Sequence, residues 1–153
     1  IEMEGDDESY DQVKIQKTIS SLEREGIVDE LLAHLNYSRE ISGYARQETF
    51  AARLNEFHKE SKELQEAFES KDWDHVSEEI GDVLWDLLFL FVLLKEKNIP
   101  LKKVIKDRIA KQVRRLPHVY EGKIVSLEEE FAIFKKRKKL EREGKLKGFG
   151  FED

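Results

Sequence analysis

The stretch KESKELQEAFESKDWDHVSEEIGDVLWDLLFLFVLL (Lys59–Leu94) reads as two helix-compatible segments separated by a short polar break at Ser70–Asp72. Glu60 and Glu63 stand on the first segment, Glu79 and Asp82 on the second. Each pair is spaced i, i+3, which puts both carboxylates on one helical face. Glu63 precedes the break by roughly seven positions and Glu79 follows it by roughly eight, so at about 1.5 Å of rise per residue a fold-back brings them to similar height. Glu60 and Asp82 then meet one turn further along. The spacing predicts four carboxylates converging between two antiparallel helices.

Such a convergence needs compensation, because like charges repel and a partly buried carboxylate is costly to desolvate. A hard divalent cation with oxygen ligands supplies it, and with no Cys in the chain there is no thiolate to favour a softer metal. Either acidic pair alone reads equally well as a solvated helix face. The second segment argues against that, since Val83-Leu84-Trp85 and Leu87–Leu94 are apolar almost all round, as in a buried helix. Asp86 extends the stripe of Glu79 and Asp82 at i+7; it either faces the cation or substrate or lines the interhelical groove.

Glu60-x-x-Glu63 followed by Glu79-x-x-Asp82 resembles the ExxE–ExxD signature of the MazG-like nucleoside triphosphate pyrophosphohydrolases, in the all-α NTP pyrophosphatase superfamily. KELQEA and EEIGDVLW are similar to the words that surround the signature there. Lys59 stands where many relatives have a further Glu. SGYARQETF (Ser42–Phe50) resembles the family's CPWDxEQT entry, with Gly43-Tyr44 in place of Pro-Trp and Thr49 matching. KQVRRLPHVY (Lys111–Tyr120) is similar to KxxRRHPHVF, and Phe131 with Lys135 resembles the closing WxxxK.

Composition bounds the fold and the partners. At 153 residues there is enough chain for one domain with a core. Charged and apolar residues each make up 39%, with only two Pro and eight Gly, which favours helices over strands. The net charge of −6 gives no reason for broad nucleic-acid or membrane affinity. The most apolar run is too short, and too interrupted by Asp82 and Asp86, to span a membrane. A cytoplasmic protein is the expectation.

In chain order, Ile1–Ser9 reads as a flexible acidic leader. Val13, Ile15, Ile19 and Leu22 suggest a first helix ending near Gly26, and Ile27, Leu31, Leu32 and Leu35 a second, short one. Asn36–Gly43 reads as a connection. The next helix is expected from about Gln47 to Glu69, with Tyr44 and Phe50 in the core. Asp72 is the expected N-cap of the following helix, which Asn98 and Pro100 stop near Lys97. Leu101–Val113 forms another, with Val104, Ile105, Ile109 and Val113 on its apolar side. The Ser126-x-x-Glu129 capping box opens a last one. His118 is expected to pack the turn, and the remaining histidines make no HxxxH pattern.

Lys111 and Arg115 are four apart and point the same way, a pairing suited to phosphate oxygens and equally to a solvated helix end. The resemblance implies that Lys111, Arg115 and Lys135 bind substrate phosphates, that Phe131 packs near the base, and that Arg114 serves either phosphate or a subunit interface. It further implies that Glu60, Glu63, Glu79 and Asp82 hold Mg²⁺, or Mn²⁺ in its place. The expected architecture is all-α and four-helix-bundle-like: an N-terminal helical segment (10–36) packed on a MazG-like catalytic domain (42–143), then a tail (144–153) whose Phe149 and Phe151 dock. The expected activity converts a nucleoside triphosphate to the monophosphate and pyrophosphate. A narrower nucleotide pyrophosphatase and a non-enzymatic helical binding module are the alternatives. The all-round apolar second helix, like the resemblance, implies a homodimer or higher even assembly.

Overall fold

The computed structural model describes residues 9–21 and 26–146. Leu22, Phe149, Phe151, the leader before Ser9 and the side chain of Ile19 lie outside the described residues. Among the described residues the chain is all helical, with no strand. The helices are α1 (Gln12–Ser21), α2 (Ile27–Ile41), α3 (Gly43–Gln47), α4 (Phe50–Glu69), α5 (Trp73–Lys95), α6 (Leu101–Arg115), α7 (Pro117–Tyr120) and α8 (Leu127–Arg142). Among the described residues they group into two compact units, one lying within 1–24 and 102–153 and the other within 25–101. The N-terminal helical segment is thus divided: α1 belongs to the first unit and α2 to the second.

The 25–101 unit is organised by the α4–α5 hairpin. Ser70 and Lys71 make the turn, Lys71 taking a left-handed φ of 60°. Asp72 caps α5 as its sequence position implies, its Oδ1 accepting from the backbone N–H of His75 at 3.2 Å. Beyond the carboxylates α5 turns apolar, and Leu88, Phe89, Val92 and Leu93 bury against Leu35 of α2 and Ala45 of α3. Burying each large side chain contributes about 1.5–3 kcal/mol, so this end of α5 anchors the unit. The helix is not covered all round, however: Ile80, Leu84 and Leu87 remain exposed, at i, i+4 and i+7.

Two boundaries and two core assignments differ from the sequence expectation. Asn36–Ile41 is helix rather than connection. Arg39 in that last turn is held by Glu96 through two 3.0 Å bonds and donates to the carbonyls of Ala45 and Glu48. α3 and α4 are separate helices, because Thr49 is extended (φ −111°, ψ 159°) and its hydroxyl accepts from Ala52 N–H, starting α4 at Phe50. Tyr44 and Phe50 are not core residues, at 66% and 47% exposed. The Tyr44 hydroxyl is drawn to Arg53 and Glu48, which keeps its ring at the surface.

In the other unit Ile15, Val113 and Tyr120 form the core, joined by Tyr10. The buried side of α6 is Ala110 and Val113, while Ile105 and Ile109 are exposed. Val13 is likewise exposed. Ser126 accepts from Glu129 N–H at 3.1 Å, the backbone half of the expected box. His118 packs the turn as expected, buried with its Nε2 at 2.8 Å from Glu130. Among the described residues no helix is long and apolar enough to cross a membrane.

Candidate functional site

The hairpin brings the acidic residues together. Glu60 of α4 and Glu79 and Asp82 of α5 each offer a carboxylate oxygen, and these oxygens lie within 4.8 Å of one another. Glu79 is buried, Glu60 half-buried and Asp82 exposed, so the cluster has a closed inner wall and an open mouth. Glu63 stands outside this tight group but close enough to act on Glu60. Burial, reinforced by Glu63, Glu79 and Asp82, pushes the Glu60 carboxyl up to about 7. The Oε2 atoms of Glu60 and Glu79 are both buried without a hydrogen-bond partner. Orphaned anionic oxygens are expensive, and a hard cation bridging them is the chemistry that would satisfy both. The donor set fits Mg²⁺ or Mn²⁺: all oxygen, one side open for water or substrate.

Asp86 is not in the tight group. It is buried, and its Oδ1 accepts from Arg53 Nη1 at 2.7 Å. The other arm of Arg53, Nη2, donates to Glu48 at 2.5 Å and to the Tyr44 hydroxyl at 3.2 Å, while the guanidinium lies 4.3 Å from the Phe89 ring centroid. One guanidinium between two buried carboxylates compensates neither in full. Burial therefore holds the Asp86 carboxyl above its ordinary range against the pull of Arg53, and Glu56 and Asp82 add to the rise. Burial works against the charge of Arg53, but its two acidic partners outweigh that and hold it firmly ionised. Arg53 was not legible as a functional residue; the available signal was a lone cation seven residues before Glu60, on the same face of α4.

The basic residues belong to the other unit. Arg115 Nε and Arg114 Nη2 each donate to Glu141 at 3.0 Å, one to each carboxylate oxygen, and Arg115 lies 5.6 Å from the Phe134 ring centroid. Lys111 is half-buried, whereas Lys135 and Phe131 are exposed. The sequence reading missed Glu141, whose position three turns past Phe131 on α8 carries no signal of its own.

An all-α hairpin whose facing walls bring three acidic side chains together, two of them with orphaned oxygens, could hold a hard cation of the kind that phosphate chemistry uses. Residues 47–120 match the MazG nucleotide pyrophosphohydrolase domain. Among solved structures it is similar to a mazG-related protein from Thermotoga maritima, at 28% identity and a TM-score of 0.70, over 72% of this chain and 98% of the other. No curated protein matches it.

Proposed function

We propose that this protein is a nucleoside triphosphate pyrophosphohydrolase. Water adds to the α-phosphorus, the bond from that phosphorus to the α,β-bridging oxygen breaks, and the nucleoside monophosphate and pyrophosphate leave. The observation that carries this reading is the approach of Glu60, Glu79 and Asp82 to within 4.8 Å in a domain of the MazG type. Glu60, Glu79 and Asp82, with Glu63 beside them, would hold Mg²⁺, which when bound would neutralise phosphate charge and lower the pKa of a bound water. Glu63, outside the tight group, is the carboxylate we assign to orient the attacking water and take its proton. Lys111, Arg115 and Lys135 match the cationic charge that the departing pyrophosphate requires.

The exposed stripe Ile80, Leu84 and Leu87 on α5 supports a homodimer that buries it. Sedimentation as a monomer at micromolar concentration would rule this out.

The test is incubation with each nucleoside triphosphate and Mg²⁺, resolving products by anion exchange. Pyrophosphate and monophosphate from several nucleotides are expected, and Glu79→Gln abolishes them. Turnover of a single nucleotide would narrow the substrate class. A nucleoside diphosphate with orthophosphate would refute the bond assignment, and no turnover at all would return the chain to the class of binding modules.

A further inference from the structure

His75 lies outside every acidic and basic motif discussed so far, yet it touches the candidate cation site. Its Nε2 is 3.1 Å from Glu79 Oε1, one helical turn away on α5. The backbone of His75 is itself fixed, because its N–H is the group that the Asp72 cap binds. An exposed i, i+4 pair is ordinarily worth a few tenths of a kcal/mol and carries no message. This one differs in what its acidic partner does. Glu79 is 7% exposed, and its second oxygen, Oε2, is buried with no partner. Together with Glu63, His75 and Glu79 also line a recess beside the hairpin turn.

We infer that His75 is a positioning residue for the cation site: by engaging Oε1 it fixes the rotation of the Glu79 carboxylate, so that Oε2 is presented to the ion. Against an ionised Glu79 the imidazole makes this contact with its proton on Nε2, as donor. Without it the terminal torsion of Glu79, which is broad and roughly two-fold, is free to exchange the two oxygens. Partners that orient a ligating carboxylate commonly contribute ten- to a hundredfold to metal affinity. The inference rests on the proposed cation site, and the experiment separates the two.

The chain is titrated with Mn²⁺, free ion being counted by electron paramagnetic resonance, for the wild type, His75→Ala, His75→Gln and Glu79→Gln. The His75 side chain is half exposed, so the variants should fold, which circular dichroism verifies. Glu79→Gln should lose binding, and His75→Ala should weaken it ten- to a hundredfold. His75→Gln, which keeps a side-chain N–H donor, should restore most of the loss. Wild-type affinity in His75→Ala beside lost binding in Glu79→Gln overturns the inference and leaves the cation site standing. Equal loss in the Ala and Gln variants overturns it too, because the imidazole would then be a direct ligand. Unchanged binding in Glu79→Gln removes the cation site and the inference with it.

Discussion

Cation binding at the hairpin should release a proton, and Glu60 is the group that gives it up. Its carboxyl sits at about 7 because it is buried beside Glu63, Glu79 and Asp82. A carboxylate must be ionised to ligate, so binding drives off whatever proton it carries. With that value, Mg²⁺ should displace about 0.9 proton per chain at pH 6, about 0.5 at pH 7 and about 0.1 at pH 8. Apparent affinity should fall roughly tenfold for each pH unit below 7. Isothermal titration calorimetry in two buffers of contrasting ionisation enthalpy reads the proton count directly. Heats that are independent of buffer at pH 6 would refute the reasoning, as would a buffer dependence that survives in Glu60→Gln. The same shift has a stability sign. The Glu60 carboxyl is raised in the folded chain from its ordinary value of 4.5, so its contribution is fully present below that pH and is lost as pH rises through about 7. Thermal melts in EDTA should therefore decline from pH 5 to pH 8, while melts in saturating Mg²⁺ should not.

Other substitutions probe the frame that holds the site. Arg53→Met strands Asp86 and Glu48 as buried carboxylates and should cost about 3–5 kcal/mol, lowering the melting temperature by on the order of 10 °C; a change of only a degree or two would mean the network is solvated. Phe89→Ala removes a side chain that is 2% exposed, beneath the Arg53 guanidinium, and should cost about 3–5 kcal/mol by urea unfolding. Thr49→Ala deletes the cap of α4 for about 1 kcal/mol, and Thr49→Ser should recover most of it.

The hairpin and the approach of Glu60 to Glu79 and Asp82 could be read from the residues alone, because helical spacing and distance from a turn are local quantities; the expected place of Glu63 in the same tight group is not met. The Asp72 and Ser126 caps were legible for the same reason: a side chain and the N–H it accepts from are three residues apart. Nothing of that range could reveal that Arg53 joins Asp86, 33 residues away, to Glu48. Nor could it show that Arg114 and Arg115 share Glu141, or that Arg39 extends α2 through the stretch that composition marks as a connection. Charged side chains are long and their pairing depends on which surfaces the packed helices bring together, so their partners follow from the fold. Tyr44 illustrates the same limit: as a residue type it is apolar enough for a core, and one hydroxyl bond to a buried arginine keeps it at the surface.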